Sequence, residues 1–217
     1  GLFRSVGVRH RQTGRAPATR QGPLHPTHFR RATKPSQATA PYIDMAALPT
    51  DSALVDRADV RAPTSGSRFI NGDTVMARIT PCLENGKIGF IDCLSDSEVG
   101  VGSTEFIVLR PHEALPLQFA YFLARSDRFR DYAVRHMSGS SGRQRCPAEA
   151  ISRYAIRSPD REALAVFADE AAPAFEMLRA FLNESILLRR IRDALLPRLV
   201  SGELRIRDVA SQVEAAV

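Results

Sequence analysis

Two short stretches of this chain gather side chains able to exchange hydrogen bonds with nucleobases and phosphates. The first holds Arg78, Thr80, Glu84, Asn85 and Lys87. Asparagine can pair bidentately with adenine, arginine or lysine with guanine, and glutamate can accept from the cytosine amino group. The second is the run Ser140, Ser141, Gly142, Arg143, Gln144 and Arg145. Backbone N–H groups beside a glycine can approach a phosphate closely, and the two arginines add positive charge. Thr104 and Glu105 make a smaller third set. A plainer reading stands beside each. Asn85-Gly86 also reads as a hairpin turn, since both residues tolerate positive φ. Arg78 also reads as a half-exposed strand residue, and a Gly/Ser run as a simple connection.

The groupings that catalysis needs are absent from the sequence. Lys87 follows Gly86, but Pro81 stands where a phosphate-binding loop needs its first glycine and Ile88 where it needs Ser or Thr. There is no Gly-rich cofactor loop and no Asn/Asp-Pro-Pro-aromatic segment for amino-methyl transfer. Pro159-Asp160 lacks the downstream acidic–x–Lys partner of a metal-dependent nuclease. His25 and His28 have no neighbouring carboxylate or thiol, so no metal site is expected. The three cysteines, Cys82, Cys93 and Cys146, include no C-x-x-C pair and read as reduced thiols. No catalytic residues, cofactor or metal are therefore expected, and a binding module fits better than an enzyme.

The polar stretches need elements to hold them. Tyr42–Met45 reads as a short strand, Gly72-Asp73 as a turn, and Thr74–Ile79 and Lys87–Asp92 as the two arms of a hairpin closed by Asn85-Gly86. Gly100 and Gly102 break the chain before a β-branched strand over Thr104–Arg110. Phe119, Phe122, Leu123, Phe129 and Tyr132 space as a helical stripe with a break near Asp127. The Gly/Ser run from Ser138 must be a loop, and Tyr154–Ile156 reads as a last short strand. Helical patterning resumes with Asp160 as N-cap, and Pro173 is expected to divide it. Beyond Pro173, Met177, Phe181, Leu188, Ile191 and Leu195 fall on a heptad-like seam, with Glu184 its one polar position. Phe175, Leu178, Leu182 and Leu196 form a second stripe beside it. A helix apolar on two adjacent faces packs against two things, here its own domain and another helix. From Pro173 to Ser201 it would make a rod of roughly 40 Å.

Composition narrows the class. With 44% hydrophobic residues the chain can bury a core. No apolar run approaches the roughly 20 residues of a bilayer span, and no signal-peptide core is visible, so no membrane partner and a cytoplasmic location are expected. The net charge of +6 is uneven. The first 40 residues carry seven arginines and Lys34 with no Asp or Glu, which leaves the remainder at about −2. They read as a poorly ordered basic tail, and overall charge alone would overstate an affinity for nucleic acid.

Four segments in order resemble the specificity subunits of type I restriction–modification systems. They are Gly66–Phe69 leading into Asn71–Lys87, Gly102–Pro111, Met137–Arg145, and Leu188–Leu204 with its Leu-Pro-Arg-Leu-Val-Ser-Gly-Glu-Leu run. The resemblance covers about residues 42 to 206. It implies an α+β fold: a sheet-rich target-recognition domain at 41–158, a long C-terminal helix of coiled-coil type at 159–206 as spacer or dimerisation arm, and a flexible end at 207–217. It also implies a non-catalytic DNA reader. Double-stranded DNA would contact the two polar stretches, and modification (methyltransferase) and restriction subunits would be the protein partners. The family carries two such units per subunit and this chain has one, so pairing with a second copy or another half through the Met177–Leu195 seam is expected. The chain departs from the family at its start, where the Arg/Pro-rich tail replaces the usual aromatic and first strand. The rival reading is an adaptor fragment that dimerises or docks a methyltransferase without reading DNA.

Overall fold

Strand β5 (Thr74–Ala77) shows why this sequence folds in layers. All four of its residues are buried. Side chains alternate faces along a strand, and here Val75 joins one apolar cluster while Met76 joins another. A strand covered on both faces reads as a continuous apolar run rather than an alternating one. The computed structural model describes residues 27–28, 39–56, 58–62, 65–140, 142–157 and 159–203.

β5 lies in a four-stranded sheet of order β1-β8-β5-β6, made with β1 (Thr27–His28), β6 (Ile88–Phe90) and β8 (Phe106–Pro111). All its pairings are antiparallel, with Thr74 opposite Leu109 and Ala77 opposite Phe106. A second sheet has the order β3-β2-β7-β4, from β2 (Ala40–Ile43), β3 (Asp59–Arg61), β4 (Ser67–Phe69) and β7 (Gly100–Gly102). Its β2–β7 pair is parallel. Ile43, Val55, Phe69, Val75, Ile91 and Phe106 fill one core cluster, which takes residues from both sheets. Gly100 is required there, because a Cβ would stand 2.2 Å from the Phe69 ring. On its other face the first sheet meets helices α1 (Phe119–Arg125), α2 (Asp127–Arg135) and α3 (Ala148–Ser152) around Met76, Ile107, Leu109, Phe129 and Ile151. Ser126 separates α1 from α2 and caps the latter, its hydroxyl accepting the Phe129 N–H at 3.4 Å.

The expected class, a sheet-rich α+β domain followed by a long C-terminal helix, is what the structure shows. Several boundaries differ. β5 ends at Ala77, and the strand expected at Tyr154–Ile156 is reduced to an isolated bridge at Ile156, with α3 preceding it. β1 falls within the stretch read as a basic tail. The rest of that stretch up to residue 38, and residues 207–217, lie outside the described residues.

The larger correction concerns the helix. α4 runs unbroken over Arg161–Val200, with Pro173 and Pro197 inside it. At 1.5 Å per residue its 40 residues span about 60 Å. A proline removes one helical N–H, but packing on either side of Pro173 holds the axis together. Ala171 and Phe175 are the helix's two buried residues. Phe175 lies edge-on to Phe90 at 4.9 Å and to Tyr121 at 5.5 Å between ring centroids. One turn on, Arg179 pairs with Asp92 and donates from Nη2 to the Val55 carbonyl at 3.2 Å. Asp160 caps the start, accepting the Ala163 N–H at 2.7 Å. Phe175 and Leu182 of the second stripe therefore meet the domain, whereas Met177, Phe181, Leu188 and Ile191 of the seam are exposed and Leu195 is half-buried.

Phe175→Ala removes the ring that joins α4 to both Phe90 and Tyr121. We expect a loss of about 3–5 kcal/mol in urea unfolding, the usual range for a buried phenylalanine. Met177→Ala, on the exposed seam of the same helix, should change the isolated chain by less than about 0.5 kcal/mol.

Candidate nucleic-acid interface

The two polar stretches meet at a small junction beyond the end of β5. Past Ala77 the chain makes one more bond toward the start of β8 and then turns to the second loop. The Arg78 N–H donates to the Glu105 carbonyl at 3.0 Å, and the Arg78 carbonyl accepts the Cys146 N–H at 2.8 Å. Ile79 forms a bridge with Arg145. The Thr80 N–H donates to the Gln144 carbonyl at 3.1 Å, and the Gln144 N–H returns a bond to Thr80 Oγ1 at 3.2 Å. Ser138 and Arg145 close the base of the Gly/Ser loop with reciprocal bonds of 3.0 and 2.8 Å.

β5 and β6 are antiparallel neighbours as expected, but Asn85-Gly86 is not a two-residue hairpin turn. Residues 78–87 coil before returning. The Leu83 N–H reaches the Ile79 carbonyl, Gly86 that of Leu83 and Lys87 that of Cys82. The last two are the 5→2 and 6→1 bonds of a Schellman motif, which puts Gly86, at φ +67°, in its left-handed position. Asn-Gly suits a helix-type C-terminus as well as a hairpin, and only the rest of the loop distinguishes them.

The candidate residues divide by surroundings. Glu84, Asn85, Ser140, Gly142 and Arg143 are exposed on the two loops. Thr80 and Gln144 are half-buried and used in the junction. Lys87 turns away, donating from Nζ to the Met45 carbonyl at 2.9 Å. Ser141 lies outside the described residues. Arg145 is exposed but engaged: its Nε and Nη2 form a fork on the Glu105 carboxylate at 2.8–3.0 Å. That bond, with desolvation opposing it, holds the Glu105 carboxyl below its ordinary range. Arg78 is half-buried, and its Nε is buried with no hydrogen-bond partner among the described residues. The sequence reading missed Arg125, whose guanidinium donates to the carbonyls of Thr50 at 2.8 Å and Gly86 at 3.0 Å and so braces the first loop from α1. Nothing in its helical stripe signals that contact.

Among the described residues no group of three or more His, Cys, Asp or Glu side chains could hold a metal, and no helix is long and apolar enough to cross a membrane. Among the described residues, two sheets, three short helices and a long helical arm, with polar loops cross-bonded at one end of a sheet, define a sheet-rich domain carried on an arm. The comparisons with known proteins give that class its relatives. Over 94 residues, 43% of the chain, it is 36% identical to the type I restriction enzyme EcoEI specificity subunit of Escherichia coli. Over 82 residues, 37% of the chain, it is 35% identical to the EcoAI specificity subunit of the same organism. These stretches make up 16% and 14% of those proteins, so the chain matches a small part of each. Its fold is similar to a chain from a structural study of complex assembly and conformational transition of the type I R-M system, with a TM-score of 0.52 and 18% identity over 79% of this chain and 44% of that one. It is similar also to the HsdS subunit from Thermoanaerobacter tengcongensis, with a TM-score of 0.51 and 17% identity over 74% of this chain and 42% of that one. No family model matches. The resemblance to type I specificity subunits read from the sequence is thus borne out, in sequence over part of the chain and in fold over most of it.

The Glu105–Arg145 fork carries a pH dependence. A carboxyl whose pKa is lowered on folding adds stability above its unfolded pKa, and that stability is lost as pH falls through the folded value. The junction should therefore loosen on acidification below the ordinary carboxylate range. Protection of the Gln144 and Arg145 amides, taken against their intrinsic exchange rates at the same pH, should fall there, and Glu105→Gln should lower that protection already at neutral pH.

Proposed function

We propose that this chain reads DNA sequence as part of a type I restriction–modification specificity subunit. Residues 41–158 act as the target-recognition domain and 159–206 as the helical arm, and the chain itself does no chemistry. The observation that carries the reading is the cross-bonded junction. Thr80 and Gln144 tie two loops into one rigid unit whose tips expose Arg143, Ser140, Glu84 and Asn85, both donors and acceptors, as direct readout of base edges requires. The likeness to specificity subunits supports it. Arg145 acts through Glu105 to hold the second loop, Gly142 adds to the exposed surface, Arg78, Thr80, Lys87 and Gln144 support it from beneath, and Ser141 joins it on the strength of its place in the sequence.

The arm has a separate task. Met177, Phe181, Leu188 and Ile191 leave an apolar seam exposed along α4, and such a seam is covered by a partner helix in coiled coils. A second copy of the chain, or another half-subunit, supplies that helix and a second recognition domain. A two-fold pair of this kind would read a bipartite inverted repeat and present it to methyltransferase and restriction subunits in the cytoplasm.

The test is selection of bound duplexes from a random pool at two salt concentrations, with the chain alone and with its methyltransferase subunit. A two-part motif is expected. Arg143→Ala should weaken binding to it by about 1–3 kcal/mol and relax one position if the contact is to a base, or lower the salt slope by about 1 if it is to a phosphate. Binding with no motif and a steep salt slope would leave the chain a docking fragment, the rival reading.

A further inference from the structure

Between β4, the turn into β8 and α3 the surface opens into a cleft of about 600 Å³. Its walls include Arg68, Arg78, Thr104, Val108, Glu149 and Ser152. Sites for small molecules commonly measure about 300–1,000 Å³. This one adjoins the junction described above, since Arg78 belongs to both and Thr104 precedes the glutamate that holds Arg145.

The chemistry of the walls is mixed. Two guanidinium groups only donate, Glu149 only accepts when ionised, and the hydroxyls do either. The Ser152 hydroxyl donates to the Glu149 carbonyl at 2.8 Å, which leaves its oxygen free to accept. Phe106, Ile107 and Val108 supply carbon surface. The Arg78 backbone is bonded on both sides, to Glu105 and Cys146. Its Nε, buried without a partner among the described residues, marks a guanidinium whose donors are not all matched there. A site for a simple anion would not include Glu149, and an apolar site would not include two arginines. A nucleotide satisfies both sides of the set. Its phosphate suits a guanidinium, its base has donor and acceptor edges, and the flat face of the base suits the aliphatic wall. The cleft also has more room than one phosphate needs.

We propose that this cleft holds one nucleotide, with the Arg78 guanidinium on its phosphate. The unit can come from either of two sources, a nucleotide swung out of a bound DNA strand or a free mononucleotide. The first source rests on the DNA-reading proposal above; the second does not.

The test uses the full chain in two arms. One measures binding of the four deoxynucleoside monophosphates by equilibrium dialysis. The other places 2-aminopurine at successive positions of bound duplexes and follows its fluorescence, which rises when the base leaves the stack. Arg78→Lys keeps the charge and loses the fork, Ala148→Phe fills the cleft from α3, and Arg128→Ala removes an exposed guanidinium of α2 that belongs to neither the cleft nor the two loops. Ser152→Phe replaces any cleft variant that loses its melting transition. We expect a signal in at least one arm, weakened about tenfold or more by either cleft variant, as for a lost charge-assisted bond, and unchanged by Arg128→Ala. Mononucleotide binding alone identifies the free ligand, and a fluorescence rise alone identifies the displaced strand. Duplex binding with neither signal overturns the cleft and leaves DNA reading intact. Mononucleotide binding without duplex binding overturns DNA reading and leaves the cleft. Silence in every assay overturns both.

Discussion

The buried carboxylate of Asp73 sets the frame on which the loops depend. It is 1% exposed and accepts from Arg110 Nε at 2.7 Å, Arg110 Nη2 at 2.6 Å and the Ile70 N–H at 2.9 Å. Its own backbone carbonyl takes the Ile91 N–H at 2.9 Å. An unpaired buried charge costs several kcal/mol, so this group tolerates few arrangements of its neighbours. Four segments thus meet at one point: the β4–β5 turn, the start of β5, the end of β6, and β8. A slip of one residue between β5 and β8 would separate Asp73 from Arg110 and exchange the faces of Val75 and Met76. The same register, carried to the other end of the pair, brings Arg78 opposite Glu105 and thereby sets the loop junction.

The parts of this fold legible in the sequence are those whose signals are local. The β5 and β8 runs, the break before Asp127, the Asp160 cap and the two stripes of the long helix all follow from spacing and capping chemistry. What was hidden depends on contacts far apart in the chain. β3, β4 and β7 are three residues each and lack a pattern long enough to read, and β7 is a strand only because Gly100 and Gly102 let Phe69 and Phe106 press against it. The same glycines read in isolation as a break. The parallel pairing of β2 with β7 joins residues nearly sixty positions apart, and no turn signal announces it.

The candidate site shows the same division. Its two polar stretches were visible as residue types, and the structure brings their bases together. Their internal division of labour was not visible. Lys87 and Arg145 have the composition of binding groups, yet one holds the turn after β2 and the other holds Glu105. A sequence counts charges, and only the fold says which of them are already matched. Pro173 is the parallel case in the arm. Its helix-breaking propensity is a few kcal/mol at most, and the burial of Phe175 with the Arg179–Asp92 pair outweighs it.

Cys146 gives the junction a reporter of its own. The thiol is fully buried directly after Arg145, its N–H is bonded to Arg78, and burial pushes its pKa up to about 11. A thiol so shielded and so rarely ionised is inert while the two loops stay clasped. Its alkylation therefore measures how often they part, and turns the breathing of the loop junction into a chemical clock.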